Sequence, residues 1–246
     1  MNSSFIYALD FDGVICDSAV ETAITGWKVA TQLWSDMADT VPTEEHINQF
    51  RELRPQLETG YEAILLMRLL QQGESVTSIR ANISHFLKEL GQDTEGLKQL
   101  FGQTRDQWIQ QAPAEWVMMN PLFDGIANSL AELDGQPWYI ITTKQERFVE
   151  QILKANQIEL PGEHIFGLDK KLSKQAVLSQ LLIQHPDIPL RFIEDRLATL
   201  TAILNNKNLN KLDLQLVDWG YNTVEEKLIA KEKGITLISL PQFLQD

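Results

Sequence analysis

The sequence predicts an α/β fold, in which a doubly wound parallel β-sheet carries an inserted, all-helical domain. Short runs rich in apolar and β-branched residues recur along the chain, and several are apolar at every position, as in strands covered by helices on both faces. Amphipathic helical patterns lie between these runs, which indicates β–α units rather than hairpins. No strand-like run occurs in residues 10–137, a stretch too long for an ordinary crossover, and this indicates an insertion.

Five strands are predicted for the sheet. They are "FIYAL" at 5–9, "WYIIT" at 138–142, "LRFIE" at 190–194, "LQLVD" at 214–218 and "TLISL" at 236–240. Helices predicted to cover the sheet lie at 121–133, 145–155, 173–184 and 223–232. Apolar residues repeat at intervals of three and four within these segments, which is typical of helices that bury one face.

The inserted domain is predicted to be helical throughout. Its segments are "ETAITGWKVATQLW", "TGYEAILLMRLLQQG", "TSIRANISHFLKEL" and "EGLKQLFGQTRDQWIQQ", separated by Gly, Pro, Ser or Thr. We expect this domain to span 17–116 and the α/β core to span 1–16 and 117–246. Pro113 and Pro121 bracket the predicted point at which the chain re-enters the core.

Composition restricts the partners and the compartment. The formal net charge is -13, and no cluster of Lys and Arg occurs, so neither nucleic acid nor an anionic membrane surface is expected as a partner. Apolar stretches such as "AILLMRLL" are far shorter than the roughly 18 residues of a membrane span. The single cysteine, Cys16, excludes an internal disulfide, and no secretion signal is apparent, so a cytoplasmic protein is expected. No oligomeric state is predicted.

Polar side chains gather where the predicted strands end. Asp10 and Asp12 follow the first strand, Thr142 and Thr143 follow the second, Glu194 and Asp195 end the strand at 190–194, and a lysine opens the helix at 173–184. Ligands of parallel α/β sheets bind at the carboxyl ends of the strands. Several carboxylates at one rim repel one another unless a cation joins them, and a hard divalent ion with oxygen ligands is the simplest partner. The sequence therefore predicts a Mg²⁺ site.

These segments, in this order, resemble the four motifs of the haloacid dehalogenase superfamily, whose members are mostly Mg²⁺-dependent phosphatases. The matching segments are "DFDGVICDS", "YIITTK", the lysine before "QAVLSQLL" and "FIEDR". "NPLFDGIANSLAEL", "TTKQERFVEQIL" and "VDWGYNTVEEK" are also similar to segments of the phosphoglycolate phosphatase-like branch. The resemblance implies a Rossmann-like core, a helical cap inserted after the first motif, and a small phosphorylated metabolite as substrate.

The resemblance also implies roles for individual residues. Asp10 is the expected nucleophile, which attacks phosphorus and forms an aspartyl-phosphate that water later hydrolyses. Asp12 is the expected general acid and base, because it lies two residues further on and faces the same way if the backbone is extended. The expected Mg²⁺ ligands are Asp10, the backbone carbonyl of Asp12, Asp195 and, directly or through water, Glu194.

Phosphoryl oxygens are expected to be held by polar groups of two strand ends and by one lysine. Thr142, Thr143 and amides of the turn from Phe11 to Gly13 are the implied donors. Lys170, Lys171 and Lys174 all compete for the role of the lysine that neutralises the nucleophile and the developing charge on phosphorus. Lys174 is preferred, since Ser173 is a good N-cap and places the next residue at the start of the helix.

One motif departs from the pattern of many phosphatases of this superfamily. A glycine commonly precedes the metal-binding aspartate of the fourth motif, and a second aspartate follows four residues later, whereas Glu194 and Thr199 occupy these positions here. The Glu-Asp form is similar to β-phosphoglucomutase and sugar-phosphatase members. A phosphomutase of that kind is therefore the main alternative, followed by a dehalogenase and by a non-catalytic binding protein.

Substrate selection is expected to lie in the inserted domain. Arg51 and Arg54 are three residues apart in "FRELRPQLETGYE", and a turn at Gly60 could bring them onto an anion. A solvated helix face with salt bridges is the competing interpretation. No lysine occurs between Lys28 and Lys88, which disfavours phosphonatase chemistry, because that reaction uses a Schiff-base lysine of the cap.

Overall fold

The core of the protein is a parallel sheet with helices around it. A computed structural model describes residues 5–90, 94–133 and 136–245. Within these residues the sheet has six strands, β1 (Ile6–Leu9), β2 (Trp138–Ile141), β3 (Ile165–Phe166), β4 (Leu190–Glu194), β5 (Asp213–Val217) and β6 (Thr236–Ile238). Their order is β3-β2-β1-β4-β5-β6, and every neighbouring pair is parallel. The predicted doubly wound α/β core is confirmed.

Contacts divide the chain into two compact units, one of which is helical and comprises Ser18–Asn120. Its helices are α1 (Ala19–Leu33), α2 (Glu44–Leu53), α3 (Ala63–Gln71), α4 (Val76–Leu90), α5 (Thr94–Gln111) and α6 (Pro113–Met118). Local chemistry fixes several of their starts. Thr43 and His46 form a reciprocal capping box at α2, and Pro113 stands in the first turn of α6, where its missing N–H costs nothing.

The α/β unit comprises Met1–Asp17 and Pro121–Asp246. Most of its helices lie in the connections between successive strands. They are α7 (Ile126–Glu132), α8 (Glu146–Ala155), α9 (Lys174–Gln184), α10 (Leu197–Leu204), α11 (Val224–Glu232) and α12 (Leu240–Phe243). The predicted ranges of both units include residues 1–4, 91–93, 134–135 and 246, which lie outside the described residues.

The structure places the second unit boundary at Asn120 rather than at the predicted Trp116. Trp116 is fully buried, and its indole Nε1 donates a hydrogen bond to Glu21 Oε1 in α1 (3.2 Å). The side-chain amide of Asn120 then donates to the carbonyl of Trp116 (2.9 Å). These two bonds hold the end of the insertion in the helical unit.

Each unit has its own apolar core. The sheet's core combines strand residues with residues of the covering helices, for example Phe192 of β4 with Leu181 of α9 and Leu200 of α10. The helical unit buries residues of α1, α2 and α3 together, including Trp27, Phe50 and Ile64. None of the helices in the described part of the chain combines the length and apolar character that a bilayer span requires.

A buried ion pair lies inside the helical unit, and its loss should destabilise the protein. The Glu21 side chain is fully buried and accepts hydrogen bonds from Arg105 Nε (2.8 Å) and Nη2 (2.6 Å) and from Thr25 Oγ1 (2.6 Å). We expect Arg105→Met to lower the free energy of unfolding by about 3–5 kcal/mol, because it leaves a buried carboxylate without its cation. Urea unfolding of the full chain measures this change.

Arg80→Met is the matched control, since Arg80 is exposed and its Nη2 atom donates to the Glu52 carbonyl at 3.3 Å. It removes the same positive charge from the surface, so its effect should stay within about 0.5 kcal/mol. Equal effects of the two variants would contradict a stabilising role for the Glu21–Arg105 pair.

Candidate active site

The predicted site residues at the strand ends lie where the strand order of the sheet reverses. β1 is flanked by β2 on one side and by β4 on the other. β2 and β3 form one half of the sheet, and β4, β5 and β6, which come later in the chain, form the other half. Asp10 directly follows β1, and its backbone N–H still donates to Ile193 O of β4 (2.9 Å). Open α/β sheets bind their ligands at this kind of switch point.

Three carboxylates meet at this point. Ligand atoms of Asp10, Glu194 and Asp195 all lie within 4.8 Å of one another, and the three residues are buried. Glu194 is fully buried, and Asp10 is only 6% exposed. Water screens them little, so their mutual repulsion must be offset by cations or hydrogen-bond donors.

Lys174 supplies one of these cations. It is the first residue of α9, which begins after Ser173, whose hydroxyl accepts from the N–H of Ala176 (3.2 Å). The Lys174 Nζ atom donates to Glu194 Oε2 (2.6 Å) and lies 2.9 Å from Asp10 Oδ1. The contact with Asp10 is an ion pair without hydrogen-bond geometry, and Asp10 Oδ1 is a buried oxygen with no hydrogen bond among the described residues.

The other two candidate lysines lie away from the carboxylates. Lys170 is exposed, its ammonium group donates to the carbonyl of Gly162 (3.2 Å), and it lies over the ring of Phe166. Lys171 is exposed and has a left-handed backbone with φ 54°. Of the three lysines that the sequence left in competition, the structure brings Lys174 to the acidic cluster.

The electrostatics of the cluster leave Asp10 poorly compensated. Burial, and after it the charge of Glu194, raise the pKa of Asp10 to about 7, and Lys174 only partly opposes this rise. Burial also disfavours the ionised form of Glu194, but Lys174 and the N–H groups of Asp195 and Arg196 hold the pKa of Glu194 below its usual range. Burial acts against charge on Lys174 too, yet Asp10 and Glu194 keep the pKa of Lys174 above its usual range.

Asp12 has a cation of its own. Lys144 Nζ donates to Asp12 Oδ1 (2.8 Å), and the side chain of Lys144 is fully buried. This lysine lies in the segment "YIITTK", and no role for it was predicted from the sequence. Its spacing was the available signal, since Lys144 lies two residues after Thr142 and therefore faces the same way in an extended segment.

The predicted phosphate-binding residues differ in their exposure and bonding. Thr142 is 6% exposed, and its hydroxyl accepts from the N–H of Lys144 (3.1 Å), whereas Thr143 is exposed. Phe11 is buried and begins the turn after β1. The N–H of Gly13 donates to Cys16 O (2.9 Å), so in this conformation it does not offer the predicted donor to a phosphoryl oxygen.

Asp195 is held by the loop that follows β5. Its Oδ2 atom accepts from the N–H of Tyr221 (2.8 Å), and its carbonyl accepts from the Asn222 side-chain amide (2.8 Å). The same amide also donates to Val217 O (2.8 Å), the last residue of β5. The segment "VDWGYN" therefore fixes the fourth motif, which the sequence matched to the family without predicting this contact.

Gly13 allows Asp195 to approach the turn, and a side chain there should disrupt the site. Its φ is +87°, and a Cβ atom at this position would overlap Asp195 Oδ2. We expect Gly13→Ala to lower the melting temperature and to weaken Mg²⁺ binding by at least about tenfold, because Asp195 has to move. Differential scanning fluorimetry and titration calorimetry measure the two effects.

Gly73→Ala is the matched control for Gly13→Ala. Gly73 has φ +83°, but no atom of the described part of the chain lies within 4 Å of a Cβ built there. It therefore introduces the backbone strain alone and should leave Mg²⁺ binding unchanged. If Gly13→Ala bound Mg²⁺ as tightly as the native protein does, the position of Asp195 would not depend on the absence of a side chain at residue 13.

The two candidate arginines of the helical unit have different surroundings. Arg51 is exposed on α2, whereas Arg54 is only 8% exposed and its Nη1 atom donates to Leu57 O (3.4 Å). The structure does not bring them together as a pair of exposed cations. Their role in anion binding stays a prediction.

The acidic cluster fits a divalent cation. The buried carboxylates of Asp10, Glu194 and Asp195 offer hard oxygen ligands, and Asp10 Oδ1 makes no hydrogen bond in the described structure. With Asp12, Lys144 and Lys174 included, four carboxylates face two ammonium groups, so the fully ionised cluster carries two excess negative charges. A bound Mg²⁺ ion would balance that excess and stabilise the ionised form of Asp10.

The fold is that of the haloacid dehalogenase-like proteins, which confirms the predicted resemblance at the level of the fold. A structure described as a predicted phosphatase from Clostridium acetobutylicum is similar over 98% of this chain and 97% of its own, with a TM-score of 0.59 and 20% identity. A predicted phosphoglycolate phosphatase from Haemophilus somnus is similar over 100% and 97%, with a TM-score of 0.59 and 15% identity.

A haloacid dehalogenase-like family hydrolase from Streptococcus pneumoniae is also similar, over 97% of this chain and 95% of its own, with a TM-score of 0.53 and 17% identity. No protein-family model and no curated protein matches the chain by sequence. At these identities the solved structures establish the fold, and the chemistry has to be argued from the site itself.

Proposed function

We propose that the protein is a Mg²⁺-dependent phosphatase that hydrolyses a small phosphomonoester through an aspartyl-phosphate at Asp10. The observation that carries this proposal is the buried cluster of Asp10, Glu194 and Asp195 with Lys174 against it. Surplus negative charge at the switch point of an α/β sheet suits a divalent cation, and a bound cation would in turn attract a substrate phosphate. Structurally similar proteins that are described as predicted phosphatases support this reaction class.

Asp10 is the proposed nucleophile. Asp10 follows β1, and its backbone N–H donates to Ile193 O of the sheet. The backbone that carries the Asp10 carboxylate is therefore fixed in position. One of its oxygens attacks phosphorus in line, the bond to the leaving oxygen breaks, and a mixed anhydride remains on Asp10. Asp12 donates a proton to the leaving oxygen and later accepts one from the water that attacks the aspartyl-phosphate.

The remaining groups bind and stabilise charge. When bound, Mg²⁺ would neutralise negative charge on the phosphoryl group, with Asp10, Asp195, the Asp12 carbonyl and Glu194 as its proposed protein ligands. Lys174 offsets the charge of Asp10 and of the phosphoryl oxygens. Thr142 and Thr143, with amides of the turn after Phe11, are the proposed donors to those oxygens, but Gly13 is left out because Cys16 O occupies its N–H.

Substrate selection is assigned to the helical unit, acting as a cap. That unit is inserted directly after the turn that carries Asp12, so the chain links it to the proposed acid. Arg51 is an exposed cation on α2 and is the better candidate of the two arginines for an anionic substrate group. A phosphorylated hydroxy acid or sugar suits the proposed site.

A phosphomutase is the second candidate. Glu194 precedes Asp195, is fully buried and accepts from Lys174 (2.6 Å), so this position has a charged role in the cluster rather than the neutral one of a glycine. A mutase would use the same Asp10 and Asp12, with a sugar hydroxyl in place of water as acceptor.

A panel of phosphate esters tests both candidates. We expect Mg²⁺-dependent release of phosphate from p-nitrophenyl phosphate and from at least one phosphorylated sugar or hydroxy acid. Product analysis with β-glucose 1-phosphate and a bisphosphate primer would reveal a mutase as glucose 6-phosphate. A folded protein that transfers phosphate from no member of the panel would contradict the proposal and favour a binding protein.

A further inference from the structure

Lys144 is an unusual lysine because its side chain, including the ammonium group, is completely buried. Its side chain is 0% exposed, and its Nζ atom lies 5.9 Å from the centre of the Phe11 ring. A buried ammonium group is costly unless it is paired and hydrogen-bonded. The partner that it reaches is Asp12, through the 2.8 Å bond to Oδ1, while the Asp12 side chain is 18% exposed.

The backbone of Lys144 is fixed from two sides. Its N–H donates to the hydroxyl of Thr142 (3.1 Å), and its carbonyl accepts from the N–H of Leu168 (3.0 Å) in the loop after β3. Glu146 ties the same two loops together, since its carboxylate accepts from the N–H groups of Gly167 (2.9 Å), Asp169 (3.1 Å) and Lys170 (3.1 Å). These hydrogen bonds therefore fix the backbone from which the Lys144 side chain extends.

Lys144 and Lys174 serve different carboxylates. Lys174 pairs with Asp10 and Glu194, whereas Lys144 pairs with Asp12. Asp10 repels the Asp12 carboxylate, and the Asp12 side chain has access to water, so these charges favour rotation of the carboxylate towards solvent. The bond from Lys144 to Oδ1 opposes this rotation.

We propose that Lys144 is a positioning residue, which holds the Asp12 carboxyl group in the orientation that delivers its proton to the leaving oxygen. This inference rests on the proposed function. In the step concerned, the bond between Asp10 and phosphorus forms, the bond between phosphorus and the leaving oxygen breaks, and the proton moves from Asp12 to that oxygen. Lys144 keeps its own protons throughout.

Leaving groups of different basicity test the inference. An alkoxide needs the proton of Asp12 as it departs, whereas p-nitrophenolate departs without it. The ratio kcat/KM reports the steps up to the first irreversible one, here the departure of the leaving group. We expect Lys144→Met to lower kcat/KM for an alkyl phosphate by about 10²-fold, and for p-nitrophenyl phosphate by less than about fivefold.

Four further variants complete the experiment. Asp12→Asn should give the same selective loss, and the double variant with Lys144→Met should lose no more than Asp12→Asn alone, because the two residues act as one unit. Lys144→Gln, which can still donate to Asp12, should restore part of the alkyl phosphate activity. Lys154→Met removes an exposed lysine of α8 and should leave kcat/KM unchanged for both esters.

Equal losses on both esters, or no loss on either, would overturn the positioning role while leaving the proposed function intact. Additive losses in the double variant would also overturn it. If Lys144→Met does not fold, as judged by its melting curve, the comparison of Lys144→Gln with the native protein decides, and equal losses on the two esters again count against the role. A native protein that hydrolyses neither ester overturns the proposed function, and the inference with it.

Discussion

We expect the Asp10→Asn variant to lose at least about 10³-fold in the rate of phosphate release while keeping its fold. The amide has nearly the shape of the carboxylate but cannot form the aspartyl-phosphate. Asp10 also directly follows β1, its backbone N–H donates to Ile193 O, and the substitution leaves this bond in place. Steady-state assays with p-nitrophenyl phosphate and circular dichroism measure the two outcomes.

The same variant should be at least as stable as the native protein in metal-free buffer at pH 8. The pKa of Asp10 is raised to about 7 by burial and by Glu194, so its ionised form is disfavoured in the folded state. Asparagine removes this penalty, and the melting temperature should stay equal or rise by a few degrees. Loss of activity would then reflect chemistry rather than unfolding.

Asp187→Asn is the matched control, because Asp187 is exposed and lies in the loop between α9 and β4. It makes the same chemical change at an exposed position that is not part of the cluster, and it should retain full activity. An Asp10→Asn enzyme that keeps more than about a tenth of the native rate would rule out Asp10 as the nucleophile.

Removal of the metal should abolish activity, and the affinity for Mg²⁺ should depend strongly on pH. Chelation with EDTA is expected to reduce phosphate release to background, and added Mg²⁺ is expected to restore it. Mg²⁺ competes with the proton of Asp10, whose pKa is about 7, so its apparent affinity should fall by roughly tenfold for each pH unit below 7. Titration calorimetry between pH 5.5 and pH 8, values chosen to span roughly one and a half units below and one above that pKa, measures this slope.

The stability of the metal-free protein should change in the corresponding direction. The pKa of Asp10 is 3.8 as an ordinary aspartate and about 7 in the folded protein, so the folded state holds more protons than the unfolded state between these values. The contribution of protonated Asp10 to the stability of the folded protein is therefore fully present below pH 3.8, and it is lost as the pH rises through about 7. Mg²⁺ should offset this loss, so its stabilising effect should be larger at pH 8 than at pH 6.

Asp10→Asn serves as the control for pH dependence as well, because asparagine does not titrate and the steep slope should disappear. A native protein whose Mg²⁺ affinity is flat across this range would contradict the assignment of Asp10 as a metal ligand that must first release a proton.

The sequence predicted the sheet well because its strands are apolar and short. All five predicted strands are present, and the helices predicted at 145–155, 173–184 and 223–232 correspond closely to α8, α9 and α11. β3 was missed because it has only two residues, and α10 was missed because its eight residues directly follow the motif ending β4. Such short elements form through tertiary packing, which leaves little periodicity in the sequence.

The candidate site was predictable where a strand end or a cap marks it. Asp10, Glu194 and Asp195 follow from the strand ends, and Lys174 follows from the Ser173 cap. Lys144 was missed, since burial of its ammonium group depends on packing around Phe11 and on the loop after β3. The spacing from Thr142 indicates which way Lys144 faces, but no local pattern encodes those long-range contacts.

A direct test of the account is to trap the covalent intermediate. The native protein is mixed with Mg²⁺ and a phosphate ester that it hydrolyses, then quenched with sodium borohydride, which reduces an acyl phosphate to an alcohol. Peptide mass spectrometry should find homoserine at position 10, dependent on both Mg²⁺ and the ester. Reduction at Asp12 or at another carboxylate, or no reduction during turnover, would contradict the assignment of Asp10 as the group that receives phosphorus.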